Sequence, residues 1–481
     1  MSNPNPSSAT MPVVAAACLV AILLAGCASN VQDDPGATPQ ASVPLLLEDG
    51  VVFTRGNASI AQAEANLSLP AVSQVPYAEE AFESVIAATS DGSFFFLAPP
   101  KLLRTQDKGQ TWTDVSPAAI GYGDPWLWVD PVTDRLFVQD LIQVCTNIHW
   151  SDDHGETWTT APLGCGSTYI DHQKIATGVY PPGVPFPAGL PYPNVVYMGY
   201  NSWPAGKSMV SHSFDGGMTW PLTTQSNTLF DGCDGPTSNG LHGGLQTDHE
   251  GSLYIPQRGR CGTGHYVSIS RDMGVTFKQV LVGKDVGSTL YVRNPELAVD
   301  AADNLYLVWT GPDQRNYYSY SADHGETWAA KSLLASPPEI TTTMTPQIVA
   351  GADGRIAMAY WGIENGNGQF PECVGDDARW NLYLTWTLDA RDPDPAFVTQ
   401  RVNPVEDPIA YGGIYSNSQA YPDTCKVGIS MPHYFGLALS PDGYVGVATT
   451  DSCPPGCVGF SEDVVRLGLT GFQTAGPNLL N

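Results

Sequence analysis

One eight-residue pattern, Ser/Thr-x-Asp-x-Gly-x-Thr-Trp/Phe, occurs five times in this chain. It reads TQDKGQTW at Thr105–Trp112, SDDHGETW at Ser151–Trp158, SFDGGMTW at Ser213–Trp220, SRDMGVTF at Ser270–Phe277 and SADHGETW at Ser321–Trp328. The central aspartates, Asp107, Asp153, Asp215, Asp272 and Asp323, stand about 46 to 62 residues apart. A fixed motif at that interval means one supersecondary unit used repeatedly, each copy completing its core against a neighbour.

The residue types say what the unit is. An Asp side chain accepts hydrogen bonds from backbone N–H groups just ahead of it and so closes a tight turn. The Gly two residues on permits a positive φ or a close backbone approach. The Thr and the aromatic then begin a strand, where β-branched and aromatic side chains pack well. Strand-like runs such as SMVSHS and NYYSYS precede the motif, so each copy reads as a strand–turn–strand corner. These corners resemble the Asp box, or bacterial neuraminidase repeat, of sialidase-like and other secreted β-propellers. The resemblance implies that the box joins the third and fourth strands of a blade, away from the central pocket. It also implies that the five aspartates are structural.

A second element recurs: two apolar strands joined by an Asp/Gly turn, the signature of a hairpin. It appears seven times, from IAATSDGSFFFLA to LALSPDGYVGVAT. Five hairpins carry a box downstream. The sixth has a degenerate corner at Leu388–Pro395, and the seventh ends in DVVRLGLTG with none. The expected fold is therefore an all-β propeller of four-stranded blades, seven in number, with six the alternative if one hairpin lies outside the ring. The last blade is short of an outer strand, which Gly50–Arg55 (GVVFTR) is expected to supply, closing the ring from the N-terminal side. High Gly and Pro content (49 and 40 residues) and low charge (14%) suit such a turn-rich fold.

The ends point to export. Val13–Ala25 is an uncharged apolar run of signal-peptide length that leads into Leu24-Ala25-Gly26-Cys27. The tetrapeptide resembles a lipobox, which implies lipidation of Cys27, although the preceding segment lacks the usual Lys or Arg. The expected organisation is a signal peptide over 1–26, a disordered tether over 27–49, the propeller over 50–470 and a tail over 471–481. Eight cysteines remain after Cys18 and Cys27, an even number that suggests disulfides in an exported chain. The economical pairing joins neighbours: Cys145–Cys165, Cys233–Cys261, Cys373–Cys425 and Cys453–Cys457. Cys453 and Cys457 also have metal-ligand spacing, but no second close pair accompanies them. No metal and no cofactor are expected.

A formal net charge of −27 excludes nucleic acid as a natural partner, because phosphates would be repelled. The expected partners are a glycan or protein ligand, together with a membrane reached through the lipid; the chain is expected to be a monomer. Propeller ligands bind at the axis, near the start of each innermost strand. Aligning the seven hairpins puts Glu83, Asp124, His172, His242, Asn294, Thr345 and Tyr434 at one position there. Two residues on stand Val85, Trp126, Lys174, Gly244, Glu296, Gln347 and Gly436. Arg293, His433 and Asp171 occupy a third ring position. Convergent polar groups of this kind mark a candidate site.

Three functions compete for this site. Recognition of a glycan or protein stands first, using His172, His242, Arg293, Asn294, Glu296 and His433. A sialidase-like glycoside hydrolase is the alternative; resemblance to that family implies Tyr434 as nucleophile, Glu83 as its activator and Asp124 as acid/base. The Arg-Ile-Pro motif of the family is absent, and no three arginines fall at matching strand positions. Metal binding by imidazole and carboxylate is the third class. His154 and His324, at the variable position of two boxes, read as solvated turn residues.

Overall fold

The computed structural model describes residues 45–47, 51–54, 70–118, 120–121, 123–142, 145–161, 164–165, 169–184, 189–203, 207–227, 242–258, 264–283, 294–333, 340–364, 373–415, 429–430, 434–453, 457 and 466–481. Seven antiparallel sheets follow one another along the chain, and each is a blade. Their innermost strands are Val85–Ala88, Gly123–Val129, Tyr169–Gly178, Gln246–Thr247, Glu296–Val299, Ile340–Ala350 and Gly436–Leu439. Each pairs with the next strand in the chain, as the hairpin pattern requires. The protein is a seven-bladed β-propeller.

Burial on both faces explains the strand sequences. In blade 1, Phe94–Ala98 is apolar throughout rather than alternating, as expected of a strand covered on both sides. Phe94 and Phe96 pack with Ala438, Ala448 and Phe472 of blade 7. Phe95 and Leu97 point the other way and pack with Leu127, Leu136 and Val138 of blade 2. The same division recurs round the ring, with apolar clusters between blades 2 and 3, 3 and 4, 4 and 5, 5 and 6, and 6 and 7. The core is thus a closed cycle of blade interfaces.

The five repeated corners join the third and fourth strands of blades 1 to 5, with the bonding the sequence implies. In each, the Ser or Thr hydroxyl donates to the Asp, and the Thr four residues beyond the Asp donates both its N–H and its hydroxyl to the two carboxylate oxygens. The corner aromatics reach the preceding blade. Trp158 Nε1 donates to Val115 O of blade 1 at 2.8 Å, and Trp112 packs 6.1 Å from Phe472 of blade 7. Gly155 has φ +88°, and a Cβ there would stand 3.0 Å from Val115 of the blade it abuts, so both conformation and space call for glycine.

Two expectations need correction. The outer strand of blade 7 is Ala71–Glu80, which pairs with Leu467–Ala475. Val51–Thr54 instead adds a fifth strand to blade 6 beside Phe397–Arg401, with Leu45–Leu47 outside it. Short alternating β-branched runs fit either edge, and backbone pairing alone cannot rank them. The histidines are also more than solvated: His154 Nδ1 lies 3.1 Å from Asp91 and His324 Nδ1 lies 3.2 Å from Asp248. Both aspartates belong to the hairpin turn of the preceding blade. Lys108, at the same corner position, reaches Asp442 of blade 7 at 3.0 Å.

In the sixth corner Thr387 still bonds Asp389, but the carboxylate holds Ala396 N, seven residues on, closing a longer loop. Cys453 and Cys457 form a disulfide. Cys145, which is disulfide-bonded, stands opposite Cys165 in register on the adjacent strand. Cys27, Cys233, Cys261 and Cys425 lie outside the described residues.

Candidate functional site at the axial mouth

The innermost strands line an axial channel of about 270 Å³, walled by Val85, Trp126, Trp128, Gly244, Glu296, Gln347 and Gly436, among others. Their starts form one mouth. Four residues of the aligned polar position adopt left-handed backbone there: Glu83 (φ 56°), Asp124 (38°), His172 (50°) and Thr345 (53°). Non-glycine residues rarely do so, and such strain collects at functional positions. On blades 2, 3 and 6 the strand register jumps past these residues, between Gly123 and Trp126, Asp171 and Lys174, and Met344 and Gln347. Bulges of this kind re-aim side chains at a strand end.

The mouth gathers most of the residues that the sequence singles out. Tyr434 of blade 7 is its hub, with ring centroids 5.7 Å from Trp126 and 6.4 Å from His172. Its hydroxyl donates to Pro125 O at 2.7 Å. Burial pushes the Tyr434 hydroxyl well above its ordinary range, and the carboxylates of Glu83, Asp124 and Asp171 push it further. Lys174, only 2% exposed, sits 4.8 Å over the Trp126 ring and 5.3 Å over that of Tyr434. Its ammonium donates to Glu296 Oε1 at 3.3 Å, and Gly244 N donates to Glu296 Oε2 at 2.6 Å. One ion pair therefore ties blade 3 to blade 5, with blade 4 held between them.

His242 is fully enclosed, with Nδ1 2.8 Å from Gly243 O. Burial lowers its pKa to about 3, helped by nearby Lys174 and His172, so it is neutral. Asn294 Nδ2 donates to His242 O at 3.2 Å, which makes Asn294 a brace for blade 4. Arg293 and His433 lie outside the described residues. The aspartates Asp107, Asp153, Asp215, Asp272 and Asp323 are in the outer corners, not at the mouth.

Between blades 2 and 3, Asp124 Oδ2 accepts from His172 N at 3.1 Å, and on blade 3 Asp171 Oδ1 lies 3.8 Å from His172 Nε2. One ligand atom from each of Asp124, Asp171 and His172 lies within 4.8 Å of the others. Asn201 Nδ2 donates to Asp171 Oδ2 at 2.9 Å. Asn201 is the residue that sequence reasoning missed. It stands mid-strand in YNSW, and only its register opposite Asp171 brings it to the mouth.

No protein-family model matches this chain, and no curated protein does. Solved structures do resemble it. A streptogramin B lyase superposes with TM-score 0.45 at 10% identity, covering 85% of this chain and 99% of the other. The β-propeller domain of the trilobed protease from Pyrococcus furiosus gives 0.41 at 8%, covering 84% and 99%. The Hadza microbial sialidase Hz136 gives 0.36 at 15%, covering 58% and 63%. None of these likenesses bears on activity.

Proposed function

We propose that this chain is an exported, lipid-anchored recognition module, an Asp-box β-propeller that takes a glycan or protein ligand at its axial mouth. The carrying observation is the convergence, from six blades, of carboxylates, imidazoles, a caged lysine and two aromatic rings on one channel entrance. Sites of this make-up, concave and partly aromatic with a few placed polar groups, are the usual form of a ligand pocket. A glycan suits it best, because aromatic faces and paired carboxylates match the apolar face and the hydroxyls of a sugar ring.

The second reading, a sialidase-like hydrolase, draws on the closeness of Glu83 to Tyr434. Glu83 also shares a hydrogen bond with the Tyr434 hydroxyl; against catalysis, that hydroxyl is within 2.7 Å of Pro125 O and burial disfavours the phenolate an attack would need. Lipid attachment at Cys27 rests on the Leu-Ala-Gly-Cys run, and export is in keeping with the Cys453–Cys457 disulfide.

The test is a glycan array probed with residues 28–481, run beside a fluorogenic sialoside assay. Recognition predicts binding to a defined glycan class, weakened at least tenfold by Glu83→Gln, with no turnover. Turnover abolished by Tyr434→Phe and Glu83→Gln would replace recognition with catalysis. Incorporation of labelled palmitate that survives Cys27→Ser would overturn the anchor.

A further inference from the structure

We propose that the blade 2–blade 3 side of the mouth is a binding site for one divalent transition-metal ion, held by Asp124, Asp171, His172 and Asn201. The first three already present ligand atoms within 4.8 Å of one another. Asp171 Oδ1 and His172 Nε2 are 3.8 Å apart, too far for a hydrogen bond. Two donors sharing an ion at about 2.1 Å stand roughly 3 to 4 Å apart, so that separation suits a common ion.

Asn201 supplies an independent observation. Its amide nitrogen is spent on Asp171 Oδ2, while its Oδ1 is buried with no hydrogen-bond partner. The residue is 4% exposed. A buried amide oxygen left unpaired costs stability, and here it belongs to the side chain clamped on the carboxylate that faces the imidazole. An ion beside Asp171 gives that oxygen a partner.

Charge argues the same way. Glu83, Asp124 and Asp171 all bear on one buried tyrosine. A cation there offsets crowded carboxylates. One imidazole with oxygen donors is a mixed set that suits ions such as Mn²⁺ or Zn²⁺. The site does not depend on what ligand the mouth takes, though a bound ion would offer a Lewis-acidic anchor for a ligand oxygen.

The experiment uses the full chain after chelator treatment and dialysis, titrated with Mn²⁺ and followed by the paramagnetic resonance signal of free Mn²⁺, with Zn²⁺ as competitor. The expected result is one ion per chain, displaced by Zn²⁺. Asp171→Asn and His172→Gln should each weaken binding at least tenfold, and Asn201→Leu should weaken it as well. Asp215→Asn, in an outer corner, should leave it unchanged. Asn201→Asp adds a charged donor and should tighten binding, which keeps the test open if the loss variants misfold. Absence of Mn²⁺ and Zn²⁺ binding up to millimolar concentration by folded protein would overturn the site. So would an affinity that neither His172→Gln nor Asn201→Asp changes.

Discussion

In the second corner, Asp153 takes hydrogen bonds from Thr157 Oγ1 (2.5 Å), Thr157 N (2.8 Å) and Ser151 Oγ (2.7 Å). These hold its carboxyl down at about 2, below the ordinary 3.8. A depressed acid contributes stability that is present above pH 3.8 and is lost as pH falls through about 2. Because the side chain is solvated, Asp153→Ala should cost only about 1 kcal/mol, read from the urea midpoint at pH 7, and much less at pH 2. His212 also loses its contribution as pH falls, but through burial rather than hydrogen bonding. It is wholly buried between blade 3 and the fourth corner, a Cβ on Gly274 would stand 2.7 Å from its Nε2, and neither ring nitrogen has a hydrogen-bond partner. Burial lowers its pKa from 6.5 to about 4. The neutral ring fits and the charged one does not, so its contribution is whole above pH 6.5 and shrinks as pH drops towards 4. His212→Leu should remove about 3 kcal/mol of acid destabilisation over that window, seen as a flatter melting-temperature profile between pH 4 and 7. An unchanged profile would mean that water reaches the imidazole.

At the scale of elements, the ring is closed by a strand far from the C-terminus in sequence: Ala71–Glu80 against Leu467–Ala475. The strand at Val51–Thr54 only widens blade 6. A chain beginning at Pro70 should therefore unfold in one cooperative transition with a modest loss of stability, mostly from uncovering the edge at Phe397–Arg401. A chain beginning at Phe82 exposes the third strand of blade 7 and an unpaired edge, a template for aggregation. Its melting temperature and solubility should drop sharply. Equal behaviour of the two truncations would show that Ala71–Glu80 is dispensable. The seven hairpins and five corners were readable because strand pattern and turn chemistry are local. Which N-terminal strand pairs with which blade was not, since GVVFTR satisfies the same local rule as AVSQVPYAEE.

For the whole molecule, the Lys174–Glu296 pair matters most, because it spans the mouth from blade 3 to blade 5 with both side chains nearly dry. Removing one partner of a buried pair leaves an uncompensated charge, at a cost of about 3–5 kcal/mol. Lys174→Met should show that loss in urea unfolding. Lys174→Met combined with Glu296→Gln should be less destabilised than the single variant, since the stranded carboxylate is gone. Costs that simply add would mean that the two groups do not couple.

Taken by itself, the sequence determined the repeat, the blade architecture and the ring of polar blade starts, because each follows from spacing and side-chain chemistry within about 60 residues. Glu83, Asp124, His172, Glu296 and Tyr434 were legible from their place before each inner strand. Tertiary structure alone decided how they meet. It folded the Tyr434 hydroxyl onto Pro125, paired Lys174 with Glu296 from another blade, and set Asn201 opposite Asp171 through strand register. Those contacts depend on left-handed turns and bulges that shift side chains by a residue at the strand starts, and on closure of the ring that brings distant blades to a common axis. Neither leaves a local mark on the amino-acid pattern, so the chemistry of the mouth belongs to the fold.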